Sequence, residues 1–425
     1  MIYREITTNS EYPDGLHAIK ANVLLNTLLV VYMLSIFYAP MLLHGRYFAY
    51  SYLPAWFFSH ATILVALSEK RVHLSIYVVL YIIFSIFCLA SIGWSIDPDV
   101  TFSRAVRVAA VAMVLPGIWL YCSSVDRINK FILTYVITAA SAVLIGFFFN
   151  WSAAERQFLG VSSSAVAFTY GTAAIFSFLG WLINQKKQWL LLIPLFLSPI
   201  VAVGSVRGFV LILGVLAMYG LIRTARKLVR LQLFSFSKNF SIIALISVLI
   251  LITINSSSKL TDRIDRNIST ANEVLTEGYK IQNTGAAGLR LILIYEGIDY
   301  LRHNLTFFGK GLDASYSIYQ DRIGMRAYSH TTYIDLLMGV GIFGTLLFYS
   351  MFFHFLFRLI SKKIYPDSLI DGLISIVSML LVFSLVARVF SIHHVMMLFV
   401  LIHAIYYNTK LFNVSTKSQL NPKNI

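Results

Sequence analysis

Two arginines and a histidine, Arg207, Arg290 and His330, are the side chains of this chain best placed for chemistry. A guanidinium is planar, permanently charged and able to donate paired hydrogen bonds to two phosphate oxygens. Arg207 stands in Gly204-Ser205-Val206-Arg207-Gly208, between two apolar runs. A charge near hydrocarbon costs about 2.5–3.5 kcal/mol at a helix centre and needs an anion, a carbonyl or water beside it. At a helix end it can also snorkel, so Arg207 reads either as an interfacial anchor or as a phosphate ligand. Arg290 follows Gly285-Ala286-Ala287-Gly288-Leu289 and reads either as a solvated helix charge or as a second ligand for the same anion. His330, in Ala327-Tyr328-Ser329-His330-Thr331-Thr332-Tyr333, carries an imidazole, whose ordinary pKa suits proton transfer near neutrality. Its plainer reading is a hydrogen-bonded structural residue.

Other candidates carry less chemistry. Arg388 lies near His393-His394 and is an auxiliary candidate for the same cavity. The two adjacent histidines project on different helix faces, have no carboxylate nearby in sequence, and read as structural. Asp97 and Asp99 flank Pro98 in a segment of ordinary turn formers. Cys88 and Cys122 form neither a CxxC nor a metal-type spacing, so neither a disulfide framework nor a zinc site is implied. No P-loop, dinucleotide-binding fingerprint, HExxH or GxSxG occurs.

The elements that must position these residues are membrane spans. Of 425 residues, 58% are hydrophobic and 12% charged, with mean hydropathy +0.75. Apolar runs long enough to cross a bilayer recur throughout, so the fold class is an all-α polytopic membrane protein. Twelve spans are expected, at approximately 21–43, 47–67, 74–93, 105–122, 131–150, 161–183, 189–204, 207–222, 239–254, 333–357, 369–387 and 395–409. Residues 1–425 read as a single membrane domain. Segment 255–332, the one long hydrophilic interval, is inserted between spans 9 and 10.

Basic loops resist translocation, and with both termini cytoplasmic the inside segments hold 19 of the 34 lysines and arginines. The 255–332 loop then faces outward with Arg207, Arg290 and His330 on its side. A membrane-anchored diphosphate would present its charges there. The net charge of +15 fits inside retention and contact with anionic membrane lipids, not nucleic acid. The first apolar run is long enough to span and reads as an uncleaved insertion signal. Within the loop, apolar residues at 291, 292, 294, 298 and 301 form a helical stripe, so 289–301 is expected as an amphipathic helix at the outer interface, with Glu296 on its surface. Gly309, Gly311 and Asp313 mark a turn. Gly341 and Gly344, three apart, suggest a close helix approach. The stretch 205–208 suggests a hairpin; one continuous helix over 189–222 would reverse the orientation of everything after it.

Taken together, these features resemble the O-antigen ligase family, within the ligase and polymerase superfamily of bacterial surface polysaccharides. The resemblance rests on about twelve spans, a late large loop, Arg207 in its Gly-Ser-Val-Arg-Gly setting and Gly288-Leu289-Arg290 opening a loop helix. It rests also on the Phe308-Gly309-Lys310-Gly311 turn and the segment from His330 through Asp335-Leu336-Leu337 to Gly341-Ile342-Phe343-Gly344. Thr331 and Gly339 depart from the family pattern, which often has Asn or Ser after the histidine and an acidic residue before the first glycine.

The resemblance implies a GT-C-type glycosyltransferase of the bacterial inner membrane with a periplasmic catalytic loop. It implies an undecaprenyl-diphosphate-linked O-antigen as donor, a lipid A-core sugar hydroxyl as acceptor, inversion at the anomeric centre, and neither metal nor cofactor. Carried onto this chain, it assigns Arg207 and Arg290 to the donor diphosphate and His330 to the attacking hydroxyl. The nearest rival is an O-antigen polymerase, with a protein-glycosylating ligase beyond it. A flippase or transporter would place ionisable groups near the bilayer midplane and often shows repeated halves, whereas these spans are nearly free of charge.

Overall fold

The computed structural model describes residues 15–42, 48–148, 157–158, 161–229, 265, 269, 286–361 and 367–419. The expected ninth span, 239–254, and nearly all of 255–285 lie outside the described residues.

The described chain is helical: α1 (Gly15–Leu42), α2 (Phe48–Ser68), α3 (Ile76–Ala90), α4 (Pro98–Tyr121), α5 (Val125–Phe148), α6 (Ser163–Asn184), α7 (Gln188–Ala202) and α8 (Val206–Val229) come first. They are followed by α9 (Ala286–Asn304), α10 (Ser315–Ile323), α11 (Thr332–Gly339), α12 (Gly341–Ser361), α13 (Asp367–Phe383) and α14 (His393–Gln419). A two-residue hairpin, Gln157–Phe158 against Val161–Ser162, leads into α6. Seven helices among the described residues are long and apolar enough to cross a membrane: Ile19–Ala39, Ile76–Trp94, Pro98–Tyr121, Val125–Phe148, Ala165–Asn184, Val206–Arg226 and Gly341–Ser361. Tyr52–Ser68, Gln188–Ala202 and Ser368–Phe383 are apolar but shorter.

Two helices, α6 and the first half of α14, are almost wholly apolar and lie at the centre, as helices apolar on every side must. Every residue of α14 from Val395 to Tyr406 is buried, and α6 is enclosed along nearly all its length. The polar side chains of α14 are met by hydroxyls from surrounding helices: His394 by Tyr135 (2.9 Å) and Thr169 (3.1 Å), His403 by Ser75 (2.8 Å), and His393 by Tyr32. This agrees with the structural reading of the paired histidines. Large apolar side chains point outward instead on the peripheral helices, where Phe57, Ile86, Leu144, Leu191, Leu346 and Phe357 are each more than half exposed. Such a surface suits lipid, because apolar patches of this extent are rare on soluble proteins.

The turn between α7 and α8 is a tight hairpin. Gly204 takes φ +61°, the Ser205 amide donates to the Ile200 carbonyl (2.9 Å), and a Cβ on Gly208 would meet Ile200 at 2.8 Å. Residues 189–222 therefore make two helices, and Arg207 begins the second.

Several expected boundaries move. The span expected at 333–357 breaks at Val340, and α12 starts only at Gly341, whose φ is +67°. Gly341 is thus the joint between α11 and α12 and not half of a helix-packing pair; Gly344 packs against Val340 and Phe87. The joint exists because the Phe308-Gly309-Lys310-Gly311 turn runs against it. The Lys310 amide donates to the Met338 carbonyl (2.9 Å), that of Gly311 to Gly339 (2.8 Å), and that of Phe343 to Phe307 (3.0 Å). On its far side the turn meets the link between α3 and α4, where the Ile96 amide donates to the Lys310 carbonyl (3.0 Å). The span expected at 369–387 likewise ends at Phe383, so Arg388 sits in a loop before α14.

The loop helix is longer than its apolar stripe, 286–304 instead of 289–301, and Glu296 is buried, contrary to its expected surface position. Arg322 on α10 explains that burial, with Nε at 3.0 Å and Nη2 at 2.9 Å from the Glu296 carboxylate. Leu293 packs in a small core with Tyr319, Ile334 and Met338, which joins α9 to α10 and α11.

Gly309→Ala would set a Cβ 2.3 Å from the Gly339 carbonyl at a backbone φ of +75°, whereas a Cβ at Gly93 meets nothing within 4 Å. We expect Gly309→Ala to destabilise the purified protein by about 2 kcal/mol or more and Gly93→Ala to be near neutral, as read by thermal unfolding in detergent.

Candidate functional site

His330 occupies the link between α10 and α11, in the left-handed backbone region at φ +64°. A non-glycine residue there is held by its neighbours, and such strained positions cluster at functional sites. Both flanking residues are tied. The Ser329 amide donates to Asp335 Oδ1 (3.0 Å), and Ser329 Oγ accepts from the Thr331 amide (3.0 Å). Thr331, the position that departs from the family pattern, is the N-cap of α11, its hydroxyl accepting from the Ile334 amide at 3.3 Å.

One residue further on, Thr332 fastens this segment to the loop that carries Arg388. Its amide donates to the Ser384 carbonyl (2.8 Å), its hydroxyl donates to the Ala387 carbonyl (2.7 Å), and it accepts from the Val389 amide (2.9 Å). Arg388 is thus gripped by backbone on both sides. Its guanidinium pairs with Asp313 and lies 3.5 Å from the Asp335 carboxylate. Arg104, from the first turns of α4, reaches Asp313 as well (3.1 Å). Asp313 is itself at φ +66° and, with Asp335, is fully buried. Burial pushes the Asp335 carboxyl up to about 7 despite the hydrogen bond from Ser329.

An aromatic ladder completes the support. The Tyr328 ring lies 4.1 Å from the His330 ring and 5.8 Å from Tyr316, with the Arg388 guanidinium 4.9 Å from its centre. Arg104 donates to the Tyr316 hydroxyl at 3.2 Å.

The structure brings three of the sequence candidates together. Arg207, at the start of α8, and Arg290, in the first turns of α9, are both half-buried and both close enough for their charges to act on His330 and on Tyr328. Burial, then the two arginines, pull the His330 imidazole down to about 4. It is therefore neutral at pH 7, and its buried Nδ1 has no hydrogen-bond partner among the described residues. A neutral imidazole can accept a proton from a hydroxyl, and guanidinium groups beside it can hold an anion. Arg388, the auxiliary candidate, supports this pair from behind through Tyr328 and Asp335.

Sequence reasoning missed Asp313, Asp335, Arg104, Tyr316 and Tyr328. Asp335 was findable, since it interrupts an apolar run and ionisable groups in such runs are seldom idle. Of the rest, Asp313 and Tyr316 share one segment and Tyr328 stands two residues before His330, but no spacing along the chain links them to Arg104 or Arg388.

No protein-family model and no curated protein matches the chain.

Removing Arg388 would leave two buried carboxylates short of a cation. Breaking such a group costs about 3–5 kcal/mol, so Arg388→Ala should lower stability by that order in detergent unfolding. Adding Asp335→Asn to an Arg388→Met variant should recover part of the loss. Equal stability of Arg388→Ala and wild type would contradict the pairing.

Proposed function

We propose that this protein is an O-antigen ligase: a GT-C-type glycosyltransferase of the bacterial inner membrane that moves a glycan from undecaprenyl diphosphate to a sugar hydroxyl of the lipid A-core. The observation that carries the reading is the convergence of Arg207, Arg290 and a neutral His330 at one end of an apolar bundle. At the opposite ends of the same helices stand Lys70 and Arg71, Arg127 and Lys130, Lys186 and Lys187, Arg223 and Arg226, and Arg358. That distribution supports cytoplasmic placement of the basic end and periplasmic placement of the site. The reading keeps twelve spans and two cytoplasmic termini, the expected ninth span lying outside the described residues.

In this reading Arg207 and Arg290 bind the donor diphosphate without a metal. The N-terminus of α8, whose first-turn amides and dipole favour an anion, adds to their field. The acceptor hydroxyl attacks the anomeric carbon from the face opposite the diphosphate. Its oxygen forms the new glycosidic bond, the bond to the phosphate oxygen breaks, and the electron pair passes to the diphosphate, where the two guanidinium groups stabilise it. The hydroxyl proton goes to His330. Direct displacement inverts the anomeric centre.

The charges also dictate a pH dependence. Burial and then the two cations hold the imidazole pKa down in the empty site, and a bound diphosphate offsets the cations, so the imidazole pKa rises in the donor complex. Protonation removes the base, so activity falls as pH falls through that pKa. We expect the acid limb of kcat to lie at higher pH than that of kcat/KM, which reports the free enzyme; coincident or reversed limbs would count against His330 as the base.

In a strain lacking the protein, wild type should restore polymer on the lipid A-core. Arg207→Ala, Arg290→Ala and His330→Ala should each reduce transfer by about 100-fold or more with membrane insertion intact. Retained transfer in all three would remove the assignment. If the null strain still attaches single repeat units to the core, the protein is a polymerase, the second reading that the same donor site supports.

A further inference from the structure

A second depression opens beside the ladder. Asp99, Ser103 and Arg104 from the start of α4, Tyr316 from α10, and Arg326 from the segment leading to His330 line a cleft of about 410 Å³. That is within the roughly 300–1,000 Å³ range of small-molecule sites. Arg207 and Arg290 are not among its lining residues.

Its guanidinium groups are already paired. Arg104 holds Asp313 (3.1 Å), Arg326 holds Asp97 (3.3 Å), and Asp99 adds a further carboxylate. An anion site leaves its arginines uncompensated until the anion arrives. Here both guanidinium groups are paired within the protein, and donors and acceptors of both kinds face one space. A carboxylate, guanidinium edges, a serine hydroxyl and a phenol arranged in this way suit a neutral polyhydroxyl compound, whose groups each donate and accept. The cleft also communicates with the histidine. Tyr316 reaches the imidazole through one intervening ring, that of Tyr328. A saccharide seated against Tyr316 would have the Tyr316 and Tyr328 rings between it and the proposed base, so the next sugar of the same glycan would span that width to present its hydroxyl to His330.

We propose that this cleft is the seat of the acceptor saccharide, separate from the arginines that take the donor diphosphate. The inference rests on the transferase reading above. Two sources present the same chemistry, the sugar chain of the lipid A-core and the terminal sugars of a second lipid-linked glycan.

The test is steady-state transfer by the full-length protein in detergent or vesicles, with lipid-linked glycan as donor and either core-only lipopolysaccharide or a second lipid-linked repeat as acceptor. Arg326→Ala and Asp99→Asn lie at exposed positions outside the buried ion group. Each should raise the acceptor KM about five- to tenfold while leaving the donor KM and the rate at saturating acceptor within about twofold. The acceptor whose KM responds identifies the source. An unchanged acceptor KM overturns the proposal, as does an equal rise in donor KM. Competition between millimolar inorganic phosphate and the acceptor, relieved by Arg326→Ala, would make the cleft an anion site and overturn it too. Wild type that transfers to neither acceptor sinks the transferase reading, and the cleft assignment falls with it.

Discussion

A guanidinium enclosed by two carboxylates underlies the organisation of this end of the molecule. Arg388 comes from the loop before α14, Asp313 from the turn after Phe308-Gly309-Lys310-Gly311, and Asp335 from α11. Buried ion pairs contribute little net stability, because desolvation consumes most of the Coulombic gain, but they are strict about geometry. Any segment that strays leaves a charge in a low-dielectric environment. The three segments are consequently held in register, and the register sets everything attached to them. Tyr328 touches Arg388, His330 touches Tyr328, and Ser329 hangs from Asp335. Arg104 extends the group into α4 through the same Asp313 carboxylate, so the position of the histidine is coupled to the body of the bundle.

That arrangement places a neutral imidazole among cations. An imidazole alone in water would be partly protonated just below neutrality. Here burial and the nearby arginines suppress protonation, leaving the nitrogens available. The same positive field that disfavours imidazolium favours a phosphate. A diphosphate entering the site would meet the arginines and at the same time strengthen the histidine as a base. In the proposed transfer, donor binding and proton acceptance would then be linked electrostatically.

The helical bundle makes this possible by supplying rigid ends. The central α14 is enclosed by α4, α5 and α6 and pinned through hydroxyl-to-histidine contacts along its length. Polar groups inside an apolar bundle must find partners, and the tyrosines and serines of the outer helices provide them. The α9, α10 and α11 segments sit on this frame with a core of their own around Leu293 and Tyr319. Glu296 and Arg322 close that core from the side.

Much of this was legible from composition and order alone. Apolar runs define where helices must lie, since a span has to satisfy its own backbone polar groups. Gly204 before Arg207 marks a hairpin because glycine takes positive φ at little cost, and Gly208 after it leaves room for Ile200. The candidates Arg207, Arg290 and His330 stood out as charges or imidazole next to hydrocarbon. The break at Gly341 was hidden, because the hydropathy of 333–357 is continuous and the constraint comes from a distant turn packing against it. Burial of Glu296 was equally invisible, since its partner lies on another helix. The sequence by itself determined an apolar helical bundle and which side chains were chemically able to act. Tertiary structure alone decided which of them meet, because charge pairing and ring contact depend on distances in space that no spacing along the chain encodes.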